Sequence, residues 1–207
     1  MTAGRTTRIL VIACGAIARE LVRIKDMNNW NHLEIQCLPA DLHNTPERIP
    51  GAVKEKIESR ANSCDKTFVA YADCGTGGLL DRMLAEHGIE RIPGDHCYEF
   101  LAGSEVFNGL AKPEIGSFFL TDFLVRHFDR LVIEGLGLDR YPQLMDSYFG
   151  NYKRVVYLAQ TDTAKLRAAA QKQAEYLGLE YHYRFCGDLP LTRVLKPALQ
   201  QEQADSL

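Results

Sequence analysis

Uninterrupted apolar runs of strand length recur along this chain, and each is followed by residues with helical spacing. "RILVIAC" (8–14), "LEIQCL" (33–38) and "KTFVAYA" (66–72) are such runs, with "IERIP" (89–93), "RVVYLAQ" (154–160) and "LEYHYRF" (179–185) as further candidates. Between them stand "GAIARELVRIKDM", "TPERIPGAVKEKIESRAN", "TGGLLDRMLAEHG" closed by Gly88, and the strongly helical "TDTAKLRAAAQKQAEYLG". A strand with one wet face alternates apolar and polar residues, whereas one apolar at every position is covered on both faces. Strands of that kind alternating with helices predict a three-layer, Rossmann-like α/β fold with a mainly parallel sheet of about five strands. Thr45 is placed to cap the second helix, with Pro46 at its first position, and Pro50 and Gly51 are expected to interrupt it. The aromatic-rich "SFFLTDFLVRHF" and "RYPQLMDSYFGNY" read as an additional helical segment within 104–152, buried in the core or at a subunit interface.

A chain of 207 residues with 46% hydrophobic content can bury one substantial core. A single α/β domain is therefore expected, with its core over about 8–198 and a frayed polar tail over 199–207. The net charge of −3, with lysine and arginine scattered, gives no footprint for nucleic acid or for an anionic membrane surface. No apolar stretch approaches the roughly 18 residues of a membrane span. The N-terminal residues leave no room for a signal-peptide core, so the expected location is the cytoplasm. The six cysteines are then reduced thiols, and no CxxC pair supports a zinc-ribbon or thioredoxin reading.

What the strands carry at their carboxyl ends is more informative. In an open parallel sheet, ligands bind at that edge, where the following helices present their N-termini. Cys14 and Gly15 follow the first strand, Asp41 and His43 the second, Asp73 and Cys74 the third, and Asp95, His96 and Cys97 the fourth. Cys74, in "DCGTGG", is expected near a helix N-terminus, where the partial positive charge would favour the thiolate. Gly75, Thr76, Gly77 and Gly78 would form a backbone nest for an anionic group such as a carboxylate or phosphate. Gly15 repeats that design in "ACGA". The glycines lack both the Walker lysine and the GxGxxG fingerprint, which excludes the usual nucleotide loops.

Structural readings compete at each position. Free cysteine often only fills a core, which suits Cys37 within "IQCL", while Cys64 in "NSCDK" reads as an exposed turn residue. Cys186 also stands at a strand end and stays ambiguous. Asp41, Asp73 and Asp95 are also natural turn formers or helix caps, and His43 a loop residue that caps a helix. His32, His87, His127 and His182 read as ordinary surface or element-end residues.

The ordered set "ACG", "LHNTPERIPGAVKEKI", "YADCGTGGL", "IPGDHCYEFLAGSEVF", "GSFFLTDFLV" and "GDLPLTRVL" resembles the bacterial and archaeal family catalogued as domain of unknown function 1638, over about residues 8–195. The resemblance implies a cysteine after the first strand, a Leu-His-x-x-Pro segment after the second, a Cys-Gly step after the third, and an Asp-Cys pair ahead of a Gly-Ser step. Those positions are Cys14, His43, Cys74 and Cys97, with Gly103 and Ser104. Here "DHC" puts His96 where an acid is usual, which leaves any acid role to Asp95. The family carries no established activity. Its members are often encoded near corrinoid-dependent methyltransferases, so a corrinoid protein or methyltransferase becomes a candidate partner.

Three thiols and an imidazole make a normal tetrahedral zinc environment and equally suit an iron–sulfur cluster. The leading expectation is a metal site of Cys14, His43, Cys74 and Cys97, with zinc or an iron–sulfur cluster as cofactor. His43, Asp95 and His96 are the acid–base candidates. The reading leans toward an enzyme acting on a small anionic or thiol substrate, in one-carbon or methyl-transfer metabolism, and leaves a homo-oligomer open. Two alternatives stand beside it. Cys14 and Cys74 could be a metal-free acid–base pair acting on a small carboxylate, as in racemases of layered architecture. A non-catalytic carrier of a metal or cofactor would need the same ligands.

Overall fold

A computed structural model describes residues 7–60, 63–114 and 116–200. The first strand, β1 (Ile9–Cys14), is buried at every position and pairs in parallel with β2 (Leu33–Leu38) on one side and β3 (Lys66–Ala70) on the other. A short β4 (Glu90–Arg91) pairs with β3 and completes a parallel sheet in the order β2-β1-β3-β4. Burial at all six β1 residues requires cover on both faces, the condition for a three-layer fold. The connecting helices are α1 (Ala18–Met27), α2 (Ile49–Arg60) and α3 (Leu79–His87). Gly88, at φ +62°, closes α3 in the left-handed conformation that glycine adopts freely.

Pro50 and Gly51 do not interrupt α2, which runs through both. Pro50 occupies the first turn, where a backbone N–H has no partner within the helix, so its missing donor costs nothing. Ile49, Val53 and Ile57 then fall on one buried face. A separate 3₁₀ turn, Pro46–Arg48, precedes the helix, and Thr45 makes no side-chain cap bond. The end of that sequence segment, residues 61 and 62, lies outside the described residues, as does the tail from 201 onward.

A second parallel sheet, in the order β5-β6-β7, is built from β5 (Ser117–Thr121), β6 (Arg154–Ala159) and β7 (Glu180–Phe185). Two sheets thus stand in place of the single sheet that the strand pattern predicted. Around this sheet the chain forms α4 (Cys97–Ala102), α5 (Ser104–Ala111), α6 (Asp122–Arg126), α7 (Met145–Phe149) and α8 (Ala164–Leu177), and the last helix, α9 (Leu189–Leu199), carries the chain back to the first sheet, where the Lys66 ammonium donates to the Ala198 carbonyl at 3.2 Å. The "SFFLT" stretch is a strand, not the start of a helix. A short apolar run has no periodicity to separate the two states, and parallel pairing with β6 decides the matter.

The chain divides into two compact units, one reaching to Cys97 and taking in the chain from Thr192, the other Tyr98–Leu191. The second has its own core, with Leu120, Phe128, Val155, Tyr157, Ala170 and Ala174 at its centre. No helix among the described residues is long and apolar enough to cross a membrane.

Candidate functional site

In the first sheet the chain moves outward from β1 to β2, then crosses back to β3 on the other side. Crossovers that leave neighbouring strands in opposite directions open a crevice at the strands' carboxyl ends. Here that point lies between β1 and β3, where Cys14 ends one strand and Tyr71 to Cys74 follow the other.

Cys14 is 4% exposed, and its sulfur accepts the Ala16 N–H at 3.3 Å, capping the 3₁₀ turn Gly15–Ile17. Gly15 has a packing reason to be glycine, since a Cβ there would lie 2.9 Å from the Leu38 carbonyl oxygen. His43 sits in the 3₁₀ turn Ala40–Asn44 after β2, with Nδ1 3.8 Å from the Cys14 sulfur and 3.0 Å from the Ala40 carbonyl. Donation to that carbonyl puts the ring proton on Nδ1 and leaves the lone pair on Nε2. Ala13 pairs with Ala70, so Cys14 and Tyr71 stand one step further along the same register, and their side chains share a face. The Tyr71 ring stacks on His43, with centroids 6.3 Å apart.

Cys74 holds φ at +51°, unusual for a residue with a side chain. The loop is pinned there by Asp73 N–H to Gly94 carbonyl at 3.0 Å and Cys74 N–H to Asp95 carbonyl at 2.8 Å. The backbone at Ala72 and Cys97 favours the Cys74 thiolate, and the thiol feels the charge state of Cys14. Cys97 therefore meets Cys74 through its backbone, at the first residue of α4.

The glycine nest has an occupant from its own chain. Asp73 accepts the Thr76 hydroxyl at 2.6 Å, Gly78 N–H at 2.9 Å and Gly77 N–H at 3.1 Å. Against the desolvation that would raise it, those bonds and the Arg91 charge hold the Asp73 carboxyl below its ordinary value. Thr76 is buried, and Gly75 turns beside Pro46 at φ +86°. Asp41, Asp95 and His96 are exposed, and no contact from them to the thiols is found among the described residues.

Two cysteine environments depart from expectation, those of Cys37 and Cys64, and a third, Cys186, is settled by its neighbours. Cys37 is exposed on the edge strand β2 and does not fill the core. Cys64 is half-buried, with its sulfur 3.8 Å from Glu34 Oε2. Cys186 lies in the second unit beside Ala102, Val156 and Leu158, where burial pushes its thiol up to about 11. Two residues of the site have no motif to announce them. Tyr71 reads as one more apolar strand residue, and its only signal is a phenol at a strand end. Arg91 grips Asp81 through two nitrogens, at 2.5 and 2.8 Å, and the carbonyls of Ile92 and Gly94 at 2.7 and 3.1 Å. It thereby fixes the turn that leads to Cys97.

Helix-terminal activation of Cys74 is not what the site produces. The helix after it begins only at Leu79, and burial raises the Cys74 thiol against the backbone bonds that would lower it. Burial likewise pushes Cys14 from 9.0 up to about 12, opposed by the Ala16 N–H and helped by Cys74, with Tyr71 lowering it. Burial lowers His43 below 6.5, opposed by Ala40. Near neutrality the site holds two thiols and a neutral imidazole.

A stability profile follows for the metal-free protein. A thiol whose folded value lies above its unfolded one stabilises the fold while protonated, so stability falls as pH rises from 9.0 toward about 12. Cys14 alone contributes about 1.4 kcal/mol for each pH unit in that window. Cys74 and Tyr71, which face it, are raised too and add with the same sign. His43 acts on the other side, because a depressed imidazole loses its contribution as pH falls below 6.5. Thermal midpoints against pH should show both flanks, with a shallower alkaline flank in Cys14→Ser. Equal alkaline slopes in the two proteins would contradict this account.

Among the described residues, no three His, Cys, Asp or Glu side chains converge as a ready-made ligand set. A cavity of about 650 Å³ opens elsewhere in the same unit, beside β4, lined by Phe68, Leu84, Arg91, Val194 and Pro197 and by none of the cysteines. The model of a family described as Protein of unknown function (DUF1638) matches residues 37–194. His43, Cys74 and Cys97 fall inside that match and Cys14 ahead of it. No curated protein and no solved structure gives a significant match.

Proposed function

The chain belongs to the DUF1638 family of proteins of unknown function, and on that footing we propose that it is a soft-metal protein acting as an enzyme through the metal. Cys14, Cys74 and His43, with Cys97 as the fourth candidate, would take zinc or an iron–sulfur cluster at the carboxyl edge of β1 and β3. The observation that carries this reading is the state of the buried Cys14 sulfur and the half-buried Cys74 sulfur. Cys14 accepts the Ala16 N–H, as a thiolate ligand does, and the backbone at Ala72 and Cys97 favours the Cys74 thiolate, yet burial raises both thiols. A bound cation would reverse that balance, with Cys14 and Cys74 giving up their protons to solvent as thiolate ligands. Because three ligands do not stand together beforehand among the described residues, binding would draw a third side chain in, and Cys74, whose charge couples to that of Cys14, is the candidate.

Such a metal supplies Lewis-acid chemistry when bound, either activating a small thiol for alkyl transfer or holding an anionic substrate. The chain's own part is orientation. Ala40 fixes the His43 ring, Arg91 fixes the turn to Cys97, and the buried walls of Cys14 and Tyr71 exclude water. A corrinoid protein or methyltransferase is the partner class proposed. The metal-free acid–base pair is the weaker reading, because it needs one thiolate near neutrality and burial opposes that for both cysteines. A carrier would share these ligands and differ in handing the metal to a partner.

Metal and sulfide content, with an absorption spectrum, should be measured on protein purified without oxygen. A brown protein with sulfide indicates a cluster, and a colourless one with stoichiometric zinc indicates the thiol-activating site. Protein that holds no metal and takes up neither zinc nor iron with sulfide would overturn the proposal.

A further inference from the structure

β7 closes one edge of the second sheet, and its register against β6 is unbroken from Glu180 to Phe185. The Glu180 N–H donates to the Lys153 carbonyl at 3.1 Å and the Cys186 N–H to the Ala159 carbonyl at 2.8 Å. Backbone groups alternate in direction along a strand, so Glu180, His182 and Arg184 turn theirs toward β6. Tyr181, Tyr183 and Phe185 turn theirs outward, and such a row is a template for a further strand. The opposite edge, β5, is mostly buried, whereas Glu180, Arg184 and Phe185 of β7 are exposed. Edges are usually blunted by a proline, a bulge or repelling charge. β7 has no proline and no bulge, and its carboxylate and guanidinium are of opposite sign.

We propose that β7 is a dimer edge, pairing antiparallel with β7 of a second copy about a two-fold axis at His182. Only the outward-facing residues can exchange backbone hydrogen bonds across that axis. With His182 opposite itself, Tyr181 of each copy meets Tyr183 of the other and exchanges both bonds. The same register sets Glu180 against Arg184, and symmetry makes that ion pair twice. Leu179 then meets the exposed ring of Phe185. Glu180 already lies along the open face, with Oε1 2.9 Å from His182 Nε2. Centring the axis on Tyr183 keeps the backbone bonds but sets His182 against Arg184 and Glu180 against Cys186, and both ion pairs are lost. Centring it on Tyr181 leaves Arg184 beyond the paired strand. Charge complementarity therefore selects both the occupant and the register, and the sheet runs on as β5-β6-β7-β7-β6-β5.

Sedimentation velocity on the full chain should show a concentration-dependent dimer. Glu180→Arg or Arg184→Glu alone sets like charges opposite each other on both sides of the axis, and should weaken the dimer about 10–100-fold. Both side chains are exposed, so neither exchange disturbs a core. The double exchange, Glu180→Arg with Arg184→Glu, restores the pairs in reversed order and should recover native-like affinity. Deuterium exchange at the Tyr181 and Tyr183 amides should be slow in the native dimer and fast in either single variant. A native chain that stays monomeric at high micromolar concentration overturns the proposal. So does a dimer that both single exchanges leave intact while those two amides exchange freely, because another face then holds it. A double variant as weak as the single ones overturns the register.

Discussion

Exchanging Cys14 or Cys74 for serine is expected to lower metal affinity by more than about 100-fold, since even outer-sphere partners are worth about 10–100-fold. Serine keeps the approximate size of cysteine, so the swap tests ligation with little change in packing. The hydroxyl has too little acidity and softness to replace the thiolate. Stability under metal-loaded conditions should fall with affinity, because metal binding free energy is also folding free energy. Cys37→Ser and Cys64→Ser serve as controls: Cys37 is exposed on the edge strand, and the Cys64 sulfur lies against Glu34. Both should bind metal as the native chain does. Retention of metal by both Cys14→Ser and Cys74→Ser would remove the metal reading. Normal folding with loss of turnover alone would favour the thiol acid–base pair.

The largest stability effect is expected from Asp122→Ala in the second unit. Asp122 is 0% exposed, and its carboxylate collects donors from the end of β6. Oδ1 accepts the Tyr157 hydroxyl at 2.7 Å and Gln160 N–H at 3.0 Å, and Oδ2 accepts Thr161 N–H at 3.0 Å together with the Thr161 hydroxyl. Arg126 stands 3.5 Å from Oδ2 and supplies the counter-charge. The network also explains the Tyr157 phenol, which burial and the adjacent carboxylate raise above its ordinary value. Removing the carboxylate strands these donors without water, at a cost of about 3–5 kcal/mol. Tyr157→Phe removes one donor and leaves the rest satisfied, so it should cost about 1–2 kcal/mol. Chemical denaturation measures both. An Asp122→Ala variant as stable as the native chain would show that α6 is not fastened to β6 by this carboxylate.

The limits of sequence reading are clearest at "SFFLT" and at Pro50. "SFFLT" has apolar and aromatic residues that suit a buried strand or a buried helix equally, and the strand it became depends on β6 lying alongside. Pro50 has the character of a helix breaker, but its cost depends on whether its N–H would have had a partner, and in a first turn it does not. Both are questions of context, which local composition does not contain.

The sequence by itself determined the α/β class, because fully apolar strands separated by helices bury only in a parallel, two-faced arrangement. It also determined which residues stand at strand ends, since that is a matter of order along the chain. Only the tertiary structure decided what those residues became. Desolvation is set by neighbours distant in sequence, so Cys74 at a glycine-rich turn is a raised thiol and not an activated thiolate. The donors of Gly77 and Gly78 are taken by Asp73 of the same loop. Cys37 faces outward because β2 is an edge strand, a fact of sheet order. Tyr71 entered the site through register alone: Ala13 pairs with Ala70, and the next residue on each strand brings a phenol to a thiol.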